Sequence, residues 1–216
     1  MIDRNNDAAR IITAVDRYYT DRLRQFGATP RGVDWNSADS QNLRFSRLLE
    51  LLPPLPDPDP PISLIDYGCG YGALADYLAE QGRILSYRGF DVSADMIAAA
   101  EARHGSTSAR SYTVDAHTLH PADFVVASGI FNVKLDHPVD AWRAYVWDTI
   151  TTLNRLCRRG FAFNMLSMCS DADKRRDDLF YMDPGEALNG CLQRFPRQVT
   201  LLHDYPLYEF TILVRK

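Results

Sequence analysis

Apolar residues near the start of the chain recur at three- and four-residue steps: Ala8, Ile11, Ile12, Val15, Tyr18, Tyr19 and Leu23 share one helical face. A loop follows over residues 27–36, and Ser37 or Ser40 offers the N-cap of a second helix running to about Leu52. Beyond residue 61, short apolar runs alternate with helical periodicity. Strands are expected over 62–67, 87–92, 110–114, 123–128 and 161–166, with helices over 71–81, 94–103, 138–158 and about 184–192. The third strand is followed only by a short crossover. The longest helix carries Trp142, Tyr145, Val146, Thr149, Ile150, Leu153 and Leu156 on one face. Two last strands, 199–203 and 209–214, are joined at Tyr205-Pro206 by so short a connection that they should pair antiparallel. The alternation implies an α/β fold with a doubly wound, mostly parallel, seven-stranded sheet, a C-terminal antiparallel pair and an N-terminal helical lid.

The run Pro53-Pro54-Leu55-Pro56-Asp57-Pro58-Asp59-Pro60-Pro61 can be neither helix nor central strand, because proline fixes φ and lacks a donor. It reads as a stiff linker over 53–61, dividing a helical cap over 1–52 from a larger domain over 62–216. Two helices are too few for an independent core, so the cap is expected to pack on the larger domain. Of the 216 residues, 46% are apolar and 24% charged, a soluble globular composition that excludes disordered and collagenous classes. A net charge of −4 offers no broad basic face, so no nucleic acid partner is expected. Cys69, Cys157, Cys169 and Cys191 form no C-x-x-C pair and no zinc spacing with histidine, which reads as free thiols in a reducing compartment and no metal site. Residues 1–10 are polar, unlike a signal peptide, and no run approaches the roughly 20 apolar residues of a membrane span. A cytoplasmic protein with no membrane partner is expected.

The chemistry-bearing segment is Ile65-Asp66-Tyr67-Gly68-Cys69-Gly70-Tyr71-Gly72, where a strand runs into a glycine turn that opens a helix. Glycines permit a tight turn and close approach of a ligand, and the helix N-terminus adds free N–H groups. Gly68, Gly70 and Ala73 also fit the dinucleotide pattern G-x-G-x-x-A. Asp66 argues the other way, since a carboxylate at the strand end repels a pyrophosphate but suits an ammonium group. Asp91 ends the second strand, where a carboxylate can accept both hydroxyls of a ribose; the alternative is that it only caps the helix that follows. Asp115 ends the third strand, where it can accept an adenine amino group or simply form a turn. Together the three acids favour a ligand with a ribose, an adenine and a cationic end, and no phosphate.

Asp66-Tyr67-Gly68-Cys69-Gly70-Tyr71-Gly72 resembles the first motif of the class I S-adenosylmethionine-dependent methyltransferases, which are Rossmann-like. Gly89-Phe90-Asp91-Val92-Ser93-Ala94-Asp95-Met96 resembles their second strand and turn, and Val114-Asp115-Ala116 their adenine-contacting turn. The resemblance covers roughly residues 62–216 and implies S-adenosylmethionine as cofactor. It implies that Gly68, Gly70 and Gly72 lie along the methionyl part and that Asp91, with Val92 beside it, binds the ribose. Met96 would pack on the adenine, Asp115 and Ala116 would contact it, and Ser128 and Gly129 would border the reacting methyl. Met96 also has a plain core reading, because Met fills gaps anywhere.

Methyl transfer from a sulfonium is an in-line displacement that needs mainly positioning and desolvation, so no catalytic side chain can be read from the sequence. His117, His137, His203, Asp204 and Tyr19 are candidate bases. Arg44 could pair with the cofactor carboxylate through its planar fork, with Gln41 on the same helical face. Tyr19, Trp35 and Tyr181 are candidate acceptor contacts, and Phe180 a further wall. Lys174, Arg175 and Arg176 imply an acidic acceptor if they face the pocket, and a solvated surface otherwise. The reading is thus a methyltransferase acting on an oxygen or nitrogen of a small molecule. The alternatives are a small nicotinamide-dependent oxidoreductase, or a non-catalytic nucleoside-binding module on the same fold.

Overall fold

The apolar runs of the sequence form one central sheet in the computed structural model, which describes residues 4–195 and 198–216. The first three residues of the expected cap and of the polar 1–10 stretch lie outside the described residues. The main-path strands are β1 (Ser63–Tyr67), β2 (Ser86–Phe90), β3 (Arg110–Thr113), β4 (Ala122–Ala127) and β5 (Cys157–Ser167), followed by β7 (Gln198–Leu202) and β8 (Glu209–Arg215). Their order is β3-β2-β1-β4-β5-β8-β7, and a two-residue β6 (Tyr181–Met182) pairs with the end of β5. All pairings are parallel except those of β8 with β5 and with β7. The chain order therefore reverses between β1 and β4, the switch point beyond whose carboxyl ends open α/β sheets bind ligands.

The helices are α1 (Arg4–Phe26), α2 (Ala38–Leu49), α3 (Ala73–Glu80), α4 (Ala94–His104), α5 (Val139–Leu156) and α6 (Pro184–Arg194). The Ser37, Ser93 and Asp183 side chains cap α2, α4 and α6 by accepting from backbone amides three residues on. Helix α5 stops two residues before the expected end, and β5 begins at once, with Cys157 already paired to Ala122. Leu156 and Cys157 are both buried, so the apolar face of the helix feeds straight into the sheet. Strand β6 gave no periodic signal, because two residues are too few to alternate.

Two apolar layers cover the two faces of the sheet. One packs Trp142, Val146, Ile150 and Leu153 of α5 against Phe161 and Phe163 of β5. The other includes Leu74 and Leu78 of α3 and also Phe45, Leu48 and Leu49 of α2, against Leu64, Phe124 and Val126. Helix α2 is therefore part of the main layer, and of the expected cap only α1 and the following turn at Pro30–Val33 remain over the carboxyl edge of the sheet. Helix α1 is pinned there by Thr20 to Ser93, hydroxyl to hydroxyl at 2.8 Å, and by Arg24 to Asp95 at 3.0 Å. The proline-rich segment is docked rather than a free spacer. Asp57 accepts from the Arg83 guanidinium at 2.6 Å and from the Ile84 amide at 2.7 Å, and Arg83 also reaches the Pro53 carbonyl. No helix among the described residues is long and apolar enough to cross a membrane.

Trp142 is the largest fully buried side chain, and its indole N–H donates to the Phe131 carbonyl at 2.9 Å. Trp142→Ala is expected to cost about 3–5 kcal/mol of stability, measured as a fall in the urea midpoint with the slope unchanged.

Candidate active site

The glycine turn is held by the end of the neighbouring strand. The amides of Gly68 and Cys69 both donate to the Phe90 carbonyl, at 2.7 and 2.9 Å. The Gly70 amide donates to Asp91 Oδ2 at 2.8 Å, and the Ser93 amide to Asp91 Oδ1 at 2.9 Å. Gly68 has φ +83°, and a Cβ there would stand 2.2 Å from Cγ2 of Ile130, so both backbone shape and close packing demand glycine.

Beyond these strand ends lies a cleft of about 850 Å³, its mouth included. Asp66, Gly68 and Gly70 line its floor, and Phe90, Asp91, Val92 and Met96 line the side from β2 and α4. Ser128, Gly129 and Ile130 enter from the loop after β4. Val15 and Tyr19 of α1, with Val33 and Trp35, close the top, while Gln41 and Phe45 of α2 and Tyr145 of α5 complete the wall. Gly129 has φ +73°, and a Cβ there would meet the Trp35 ring at 2.3 Å. The lid therefore rests directly on the loop that follows β4.

The cleft is electrostatically one-sided. Asp66 is 2% exposed and accepts from the Tyr87 hydroxyl at 2.7 Å. Desolvation pushes its carboxyl up to about 7, against the Tyr87 hydrogen bond and with help from the neighbouring Asp91 charge. Burial likewise pushes Asp91 up to about 6, opposed by the amides of Ser93 and Gly70. Among the described residues, no lysine, arginine or histidine lines the cleft. Burial holds the Tyr19 and Tyr145 phenols well above their ordinary range, so both stay protonated at neutral pH. Ser128 Oγ is buried with no hydrogen-bond partner.

The structure brings together Asp66, Gly68, Gly70, Asp91, Val92, Met96, Ser128, Gly129, Tyr19 and Trp35. Other expected residues lie elsewhere. Asp115 and Ala116 are exposed and outside the lining, and Asp115 caps a short helical turn by accepting from the His117 amide at 2.9 Å. Gly72 starts α3, and its α-carbon faces the His104 ring instead of the cleft. Arg44 is corrected most sharply. Its guanidinium is locked onto Glu209 by contacts of 2.5–2.9 Å, leaving the cleft to Gln41, whose amide oxygen accepts from the Tyr71 hydroxyl at 3.2 Å. Tyr181 accepts from the Arg176 amide outside the cleft, and Phe180 is core. None of the basic trio faces the cleft: Lys174 pairs with Asp173, Arg176 with Asp178, and Arg175 with backbone carbonyls. His117, His137, His203 and Asp204 are likewise outside the lining.

Sequence reasoning missed Val15, Val33, Phe45, Tyr67, Ile130 and Tyr145 as lining residues. Val15 lies four residues before Tyr19 on the same helical face, and Ile130 directly follows the Ser128-Gly129 pair, so both carried a signal. Tyr145 was read only as part of the apolar face of its helix.

The glycine turn after β1, with the Asp66 and Asp91 carboxylates, thus forms a cleft at the carboxyl ends of β1, β2 and β4 in an open α/β sheet. A family model described as a methyltransferase domain matches residues 39–198. A Mycobacterium tuberculosis protein, Rv1506c, itself named provisionally as a methyltransferase, is 49% identical over 156 residues, covering 72% of this chain and 94% of its own. Two solved structures share the fold at a TM-score of 0.59. One is the magnesium protoporphyrin IX methyltransferase of Synechocystis PCC 6803 with bound SAH, at 14% identity over 94% of this chain and 99% of its own. The other is the N-methyltransferase NodS of Bradyrhizobium japonicum WM9 with S-adenosylhomocysteine, at 15% identity over 94% and 98%. The chain belongs to the methyltransferase-domain family and is a class I S-adenosylmethionine-dependent enzyme. The oxidoreductase and non-catalytic readings end here.

Because the folded-state values of Asp66 and Asp91 lie above those of an unfolded chain, the folded ligand-free protein holds protons that the unfolded chain releases. Their effect on stability is therefore neutral below about pH 4 and increasingly unfavourable as the pH rises to about 7. The urea midpoint of the free protein should fall between pH 5 and pH 8, and Asp66→Asn should flatten much of that fall.

Proposed function

We propose that this methyltransferase acts on a small-molecule acceptor at an oxygen or nitrogen atom, and that Asp66 and Asp91 with the glycine turn hold its cofactor. The observation that carries the reading is two carboxylates facing one cleft that no lysine, arginine or histidine among the described residues lines. S-adenosylmethionine supplies an activated methyl group on a sulfonium. The residues present fit it. Two carboxylates await a positive partner, Ser128 Oγ is buried and orphaned, and Phe90, Val92 and Met96 offer apolar walls to a nucleobase. Asp91 keeps lone pairs beyond those taken by Gly70 and Ser93, enough to accept from ribose hydroxyls. Asp66 would face the ammonium end. Tyr19, Trp35 and Tyr145 exclude water above the site, which strengthens every charge interaction inside it.

An acceptor without negative charge suits this cleft, because an anion would meet two carboxylates and no lining cation. The protonated phenols of Tyr19 and Tyr145 can donate hydrogen bonds but not take a proton. That favours a nitrogen whose lone pair is already free over a hydroxyl that needs a base. Four free thiols, three of them buried, support placing the protein in the cytoplasm.

Calorimetry with S-adenosylmethionine tests the cofactor assignment. Binding is expected with release of protons at pH 7, because a cation beside Asp66 and Asp91 lowers their pKa values; titrations in buffers of different ionisation enthalpy read that release. Asp91→Ala should weaken binding at least about tenfold, the loss of roughly one charge-assisted contact. Asp115→Ala should change it less. Equal losses from the two variants would return Asp115 to the site and undo the assignment.

A further inference from the structure

Strand β5 reads Phe161-Ala162-Phe163-Asn164-Met165-Leu166, and Asn164 is a fully buried amide in an apolar strand at the centre of the sheet. Such a group costs stability unless its hydrogen bonds are made. Both ends are used. Asn164 Oδ1 accepts from the Gly129 amide at 2.7 Å, and Nδ2 donates to Glu209 Oε2 at 2.7 Å. Glu209 in turn holds the Arg44 guanidinium, with side chains 2% and 8% exposed. Arg44 donates its remaining nitrogen to the Ser40 carbonyl at 2.7 Å and lies 3.9 Å from the centre of the Trp35 ring. Trp35 rests on Gly129, where the circuit began.

We propose that Asn164, Glu209 and Arg44 are positioning residues that clamp Trp35 of the lid onto Gly129, so that the lid and the loop after β4 are set as one unit. None of the three lines the cleft, whereas Gly129 and Trp35 both do. The geometric circuit stands on the structure alone. Its consequence for methyl transfer rests on the reading that Ser128 and Gly129 border the reacting methyl. Displacement at a methyl group is sensitive to placement, and a misplacement of about 1 Å can cost about a hundredfold in rate. A buried ion pair is poor value for stability alone, since apolar replacements of similar volume often do as well or better. Its use here is to fix one arrangement of four separate segments: α2, β5, β8 and the loop after β4.

The test reads the clamp without needing the acceptor. Hydrogen exchange of the segment 128–132 is followed in the ligand-free protein and in Trp35→Ala, a change in a partly exposed loop that does not threaten the core. Releasing the clamp should speed exchange at Gly129 by about tenfold. Asn164→Leu, which removes both amide contacts, should do the same, and the double variant should exchange no faster than Asn164→Leu alone. S-adenosylhomocysteine titrations should show the same non-additivity, with each single change weakening binding by several fold. Wild-type protection in Trp35→Ala, or losses that multiply independently in the double variant, would overturn the clamp. Should Asn164→Leu fail to fold, the exchange of Trp35→Ala decides alone. Failure of wild-type protein to bind S-adenosylhomocysteine would instead remove the cofactor reading and leave the exchange result to judge the clamp.

Discussion

The site depends on how the turn after β1 is tied to the end of β2. Three consecutive amides, of Gly68, Cys69 and Gly70, donate to Phe90 and Asp91, so the turn is shaped by its neighbour as much as by its own glycines. This tie brings Asp66 on the floor and Asp91 on the adjoining wall to the same cleft. The parallel register of β1 with β2, in which Asp66 stands opposite Gly89, makes the crossing possible. Gly89 also has no room for a side chain, because a Cβ there would meet the Tyr112 ring at 2.6 Å and Cys69 Sγ at 2.8 Å. The floor of the site is thus close-packed from beneath.

The protein holds two very different kinds of buried carboxylate, and the contrast separates site from scaffold. Glu209 is nearly inaccessible but faces Arg44 and Asn164, so its charge is answered within the fold. Asp66 is equally inaccessible but receives only a neutral phenol, and its affinity for protons rises. An uncompensated charge beside an open cleft marks a group kept for a ligand, whereas a compensated one marks structure. Arg44 was misread from sequence for this reason. An arginine on a helix near the site suggests an anion partner, but its carboxylate lies 165 residues away on β8, a distance that periodicity cannot span.

Most of the fold was legible because the alternation of apolar runs is long and regular. What escaped was set by tertiary contact. The proline run suggested a boundary, but Asp57 and Arg83 dock it, and the apolar face of α2 joins the same core as α3. Of the segments with local signatures, Asp66 and Asp91, Gly68 and Gly70 of the glycine turn, and Ser128-Gly129 line the cleft. Asp115 shows the limit of such signatures, since the same residue type at a strand end serves here to cap a turn in solvent. Asn164 carried the one usable signal for the clamp, a lone amide in an apolar strand, though nothing local named its partners.

The charge pattern of the cleft also bears on turnover. On the proposed reading, two carboxylates with no lining cation hold a positively charged guest more firmly than one that has lost its sulfonium charge. The binding energy that draws the reactant in therefore weakens once the methyl has left, and product departure is eased without any movement of the floor. The same carboxylates take up protons when the guest has gone, which relieves their mutual repulsion in the empty cleft. A lysine or arginine among the lining residues would have abolished both effects by neutralising the floor at all times. On that reading, the pairing of Arg44 with Glu209 also keeps a cation out of the cleft.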